Sequence, residues 1–143
     1  MLKLRVTNET DRLKAVILGT AVSNGATPTL EEAYDPKSAE HIKAGTYPIE
    51  KDMVAEMDAF AAVLQKYGVQ VYRPEIIRDC NQIFTRDIGF VIDDVFIKAN
   101  ILPDRQAEFQ AIEYIVKQMN PDKVVTPPEE VHIEGGLGMS IFL

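Results

Sequence analysis

Residues 89–99, GFVIDDVFIKA, decide the fold class. Two short runs rich in β-branched and aromatic residues flank Asp93-Asp94, which predicts a tight β-hairpin. A different period follows. Phe109, Ile112, Ile115, Val116 and Met119 fall on one side of a helix predicted over 104–119, and Asn120-Pro121 ends it. A short strand is predicted over 123–126, closed by Pro127-Pro128. The unit reads hairpin, helix, strand.

On the N-terminal side the same alternation recurs in pattern, though not in letters. Residues 13–19, LKAVILG, form a short apolar run that reads as a buried strand. The segment 21–48 is loop-like, broken by Gly25, Pro28, Pro36, Gly45 and Pro48, with room for a short helix around 35–44. A long helix is predicted over 49–67, where Ile49, Met53, Met57, Phe60, Leu64 and Tyr67 make one apolar stripe between Pro48 and Gly68. Residues 69–73, VQVYR, alternate as a strand. Strands alternating with helices of this length predict an α/β protein. Strands that return after each helix suggest ββαβ-like units, two of them and the opening of a third. Neither a linker nor a low-complexity segment interrupts the chain, so one domain over 1–143 is expected.

Composition bounds the function. The chain has 143 residues, a formal charge of −7 and one cysteine, Cys80. A negative chain without clustered Lys and Arg speaks against a nucleic-acid partner, because phosphate neutralisation needs cations. It gives no reason to expect a membrane surface, and the apolar runs are too short to span a bilayer. One thiol excludes an intrachain disulfide and a zinc site built on several thiolates. No metal or cofactor is expected, and a cytoplasmic location is the default.

Two stretches carry candidate chemistry. Residues 81–87, NQIFTRD, put Asp87 between two apolar segments, near a strand end where α/β folds place ligands. Asp87 there either binds a ligand or simply pairs with Arg86 or caps a turn. Residues 132–136, HIEGG, put Glu134 before paired glycines. Gly135 and Gly136 serve either a close approach to a ligand or an ordinary turn.

Taken together, Asn81-Gln-Ile-Phe84-Thr85-Arg86-Asp87 and His132-Ile-Glu134-Gly135-Gly136 resemble the Asn-x-x-Phe-Thr-Arg-Asp and His-x-Glu-Gly-Gly-Asp segments of the pentein superfamily. That superfamily contains arginine and agmatine deiminases, dimethylarginine hydrolases and amidinotransferases. The pattern is nearest to bacterial amidinotransferase and arginine deiminase-like proteins, and covers their N-terminal half only. The resemblance implies a partial α/β propeller of ββαβ units, about two and a half of five. It implies an arginine-like guanidino substrate. In the family a cysteine thiolate attacks the guanidinium carbon, a histidine moves protons and carboxylates grip the cation. Asp87 would be a guanidinium-binding carboxylate, and Glu134 would orient the catalytic histidine. Asn81 and Phe84 would line the site. Arg105 would bind the substrate carboxylate, or else be a solvent-facing arginine in a helix first turn.

The likeness stops at Gly136. Leu137 stands where the family has aspartate, and residues 137–143, LGMSIFL, no longer follow the pattern. The family's later histidine and C-terminal cysteine have no counterpart here. The histidines are His41 and His132, and Cys80 precedes the first motif. A Cys80–His132 pair is the weaker reading, since lone cytosolic cysteines are commonly buried and inert. Three readings follow: an amidinotransferase-like chain with little turnover by itself, a deiminase-type hydrolase, or a non-catalytic binding module or remnant. The apolar tail is expected to lack a partner element, which suggests a homo-oligomer.

Overall fold

The computed structural model describes residues 1–143 apart from 9, 34, 35, 102, 132 and 134–139. Glu134, Gly135, Gly136, His132 and Leu137 therefore lie outside the described residues. The elements run β1 (Ala15–Leu18), α1 (Pro36–Ala44), α2 (Glu50–Lys66), β2 (Gln70–Tyr72), β3 (Gly89–Ile92), β4 (Val95–Lys98), α3 (Gln106–Gln110), α4 (Glu113–Val116), β5 (Val124–Val125) and β6 (Ser140–Phe142).

The strands form two three-stranded sheets of like topology, ordered β2-β1-β6 and β3-β4-β5. Each holds one parallel pair joined through helices and one antiparallel neighbour. The predicted hairpin is β3–β4, with Val91 opposite Phe96 and Ile92 opposite Val95. Asp93 turns it at φ +53°, in the left-handed region that Asp tolerates better than bulky residues. The fold class is mixed α/β, as expected, and neither sheet closes on itself among the described residues.

The apolar run around β1 is explained by burial on both faces. Ile17 joins a core with Ile88, Phe96, Ile112, Ile115 and Met119. Val16 and Leu18 join a second core with Met57, Ala61 and Val69, under α2. The α2 stripe is buried at its centre, whereas Ile49 and Tyr67 at its ends are exposed.

Two expectations are corrected. The helix predicted over 104–119 is a 3₁₀ turn (Pro103–Arg105) followed by two short helices. The break falls at Ala111, whose carbonyl accepts the Glu75 N–H at 2.8 Å; Ile115 N–H turns instead to the Ile112 carbonyl. A tertiary hydrogen bond has replaced a helical one. The C-terminal segment does have a partner. β6 pairs antiparallel with β1, Ile17 opposite Ile141, and Leu143 is buried in the first core. The ground for expecting association through an uncovered tail is thereby removed.

Candidate functional site

Residues 79–87 are folded onto the end of β1 by their own polar side chains. Asn81 Oδ1 accepts the Ile83 N–H at 3.1 Å, closing a local turn. Gln82 is buried and bridges the neighbouring loop: Oε1 accepts the Ile77 N–H at 2.8 Å, and Nε2 donates to the Glu75 carbonyl at 2.9 Å. Thr85 Oγ1 donates to the Ile17 carbonyl at 3.0 Å. Thr20 N–H donates to the Gln82 carbonyl at 3.0 Å, so the chain after β1 and the motif lie side by side. Gly19 permits this approach, because a Cβ there would overlap the carbonyl oxygens of Ile83 and Gln82.

The segment before the motif is held in turn by Ser23. Its Oγ accepts the Asp79 N–H and its carbonyl the Cys80 N–H, both at 2.9 Å. Ser23 and Asp79 both have positive φ, 60° and 52°. Non-glycine residues hold such angles only where surrounding contacts fix them.

With the ledge fixed, the 3₁₀ turn Thr85–Asp87 presents Asp87 to a cluster of charges. Asp87 Oδ1 accepts Arg86 Nε–H at 3.2 Å, and Oδ2 accepts Arg105 Nη1–H at 2.8 Å. Arg105 also forks onto Glu108, Nε to Oε1 at 2.7 Å and Nη2 to Oε2 at 2.9 Å. The i,i+3 spacing puts Arg105 and Glu108 on one face of the helix start. The side chains of Asp87 and Glu108 are 15% and 5% exposed, so water screens these pairs weakly. The Glu108 hydrogen bonds, helped by Asp87 and opposed by burial, raise the Arg105 pKa. Arg105 is a permanent cation. The Cys80 thiol is pushed up, first by burial and then by Glu108, with Arg105 acting in the opposite direction.

Asp87 thus accepts hydrogen bonds from two guanidinium groups of its own chain. An ionised carboxylate offers about four lone-pair sites, and these two bonds use one on each oxygen. The Arg86 pairing expected of Asp87 is present. Arg105 is not the solvent-facing arginine that one of its two expected roles describes. It is half-buried, and it faces two carboxylates of its own chain, because α3 brings Glu108 beside it.

Asn81 and Phe84 instead face a cleft of about 670 Å³ between their segment and α1, lined also by Lys37, His41, Tyr47 and Met53. Asp87 and Arg105 do not line it. Arg86 connects the two places: its guanidinium lies 5.3 Å from the Phe84 ring centroid while it binds Asp87. Glu108 and Gln82 were not singled out by the sequence. The i,i+3 Arg-Glu spacing was the one signal available for Glu108. Among the described residues no group of His, Cys, Asp or Glu is placed to hold a metal ion, and no helix is long and apolar enough to cross a membrane.

This fold is shared with pentein-superfamily proteins. The inosamine-phosphate amidinotransferase StrB1 of Streptomyces griseus superposes with a TM-score of 0.66 at 26% identity, over 90% of this chain and 44% of that one. SxtG, an amidinotransferase of the saxitoxin biosynthetic pathway of Microseira wollei, gives 0.60 at 22% identity, over 87% and 42%. The dimethylarginine dimethylaminohydrolase (DDAH) of Pseudomonas aeruginosa, solved with citrulline, gives 0.55 at 16% identity, over 86% and 45%. The chain spans less than half the length of each, in keeping with the half-length expected from the motifs. No family model and no curated protein matches the chain.

Proposed function

We propose that this chain supplies the guanidinium-binding part of a pentein-type enzyme that transfers the amidino group of arginine to an amine. The observation that carries this is Asp87. Its carboxylate accepts hydrogen bonds from two guanidinium groups, Arg86 and Arg105, within 3.2 Å. In this reading the same carboxylate takes up a guanidinium from a ligand. The greater likeness to two amidinotransferases, with TM-scores of 0.66 and 0.60, than to DDAH, at 0.55, supports transfer over hydrolysis.

In this reading the ββαβ sheets are blades of an α/β propeller, and 1–143 is part of one pentein domain. Glu134 orients a catalytic histidine, and a cysteine forms the covalent intermediate. Asn81 and Phe84 line the neighbouring cleft beside α1, which Arg86 links to Asp87. Cys80 is a poor candidate for the nucleophile, because its surroundings disfavour the thiolate. Little or no turnover is therefore proposed for this chain by itself.

The test is calorimetry with arginine. Binding by the wild type that is lost in Asp87→Asn supports the reading, and equal binding by both contradicts it. Incubation with arginine and glycine or ornithine tests turnover. A second reading, a folded remnant, is favoured by the engagement of both Asp87 oxygens with the chain's own arginines. It predicts no arginine binding at all.

A further inference from the structure

We infer that the cleft between the motif and α1 is a binding site for a small protonated amine with an apolar body, separate from Asp87. The inference does not rest on the reading of Asp87 as a guanidinium ligand.

The first observation is an unpaired acceptor. Asn24 lines the cleft, and its Oδ1 is buried without a hydrogen-bond partner among the described residues. Buried polar atoms are almost always paired, so this one is open to a ligand. An amide oxygen only accepts, and its missing partner is therefore a donor. The amide turns about a soft torsion, which lets the oxygen swing to meet that donor. The backbone carrying it is already fixed. Asn24 N–H donates to the Ala21 carbonyl at 3.2 Å, and Ser23 N–H to Glu50 Oε1 at 3.1 Å. A site built beforehand loses little to ordering when it binds.

Charge narrows the donor to a cation. Glu32 lines the same cleft, and its Oε2 accepts the Thr29 N–H at 2.7 Å and the Thr29 hydroxyl at 2.9 Å. Those bonds hold its carboxyl below the ordinary carboxylate range, so it is an anion at neutral pH. Lys37, across the cleft, is met by Glu40 at 2.8 Å. Among these three side chains the Glu32 charge is the one left over. An ammonium group is both donor and cation, and it suits Asn24 and Glu32 together.

The walls set the rest of the ligand. Pro48, Met53, Ile83 and Phe84 give the cleft an apolar side, and Phe84 is 37% exposed. An apolar body laid against them removes that surface from water. The volume of about 670 Å³ is of the size that small-molecule sites have.

The experiment is calorimetric titration of the full chain with phenethylamine at about pH 8, where an ordinary histidine is neutral and a primary amine is charged. Phenethyl alcohol, 3-phenylpropionate and ethylamine are the controls for charge, sign of charge and apolar body. Phenethylamine is expected to bind about tenfold more tightly than each of them. Asn24→Ala is expected to lose about tenfold in phenethylamine affinity without a fall in Tm, because Oδ1 has no bond to lose. Glu32→Gln keeps an acceptor for Thr29 and is expected to lose about threefold, the smaller effect of an exposed charge.

Absence of phenethylamine binding would mean a cleft that holds solvent only, and would overturn the inference. Equal binding of the alcohol or the propionate would reduce the cleft to an apolar trap and overturn it too. Unchanged affinity in Asn24→Ala would place the amine elsewhere, Asp87 included. If Asn24→Ala does not fold, Glu32→Gln decides: unchanged affinity there overturns the inference, and a loss confined to the charged probe supports it.

Discussion

Thr85 Oγ1 donates to the Ile17 carbonyl at 3.0 Å, and this bond moors the motif to the central strand of the first sheet. Thr85 is 2% exposed and Ile17 is fully buried. Thr85→Val keeps the shape but removes the donor, leaving a buried carbonyl short of a partner. A loss of about 1–3 kcal/mol is predicted, read as a shift of the denaturation midpoint in urea. Asp87 lies two residues further on, so loosening the ledge should also weaken any ligand held there.

Gly19 is the other half of the mooring. Its missing side chain lets the Ile83 and Gln82 carbonyls close on β1, while its own carbonyl accepts from the Arg73 guanidinium. Gly19→Ala sets a methyl group against backbone carbonyls, which no side-chain rotation can relieve. Destabilisation of about 3 kcal/mol is predicted, large enough to show as a marked fall in Tm. A variant as stable as the wild type would mean that the two segments are not in contact.

Arg105 neutralises a buried carboxylate. Arg105→Met leaves Glu108 without either of its hydrogen bonds, and breaking such a pair from one side costs about 3 kcal/mol. Removing both members should cost less than the sum of the single changes, because no charge is then left unpaired. A double-mutant cycle in urea checks this.

Cys80 reports on the same cluster from outside it. Burial and Glu108 raise its pKa, and Arg105 lowers it. At a fixed pH near 8 the thiol should react with iodoacetamide more slowly than a free cysteine. The signs follow from the charges. Glu108→Gln removes a negative neighbour, favours the thiolate and speeds the reaction. Arg105→Gln removes a positive neighbour and slows it. Cys80 is the sole thiol, so the rate can be read on the whole protein by mass spectrometry.

These elements differ in how far the sequence revealed them. The hairpin β3–β4 was legible because alternation and a two-residue acidic turn are local signals. So was α2, whose stripe repeats over many turns. The break between α3 and α4 was not, since it depends on Glu75 donating to the Ala111 carbonyl from more than thirty residues away. The pairing of β6 with β1 joins the two ends of the chain and leaves no mark in either segment. At the site, the pairing of Asp87 with Arg86 was legible from their adjacency, and the role of Thr85 was hidden in the same letters. Glu108 was missed because an Arg-Glu pair at i,i+3 reads as an ordinary solvated helix face. Its burial comes from tertiary packing and cannot be counted from spacing.

Whether Asp87 holds a guanidinium from outside the chain is read from a crystal structure of the protein soaked in arginine. The expected result is a ligand guanidinium with a nitrogen about 2.7–2.9 Å from an Asp87 carboxylate oxygen, with Arg105 still forked on Glu108. Arginine bound elsewhere, with Asp87 still engaged by Arg86 and Arg105 alone, would contradict it.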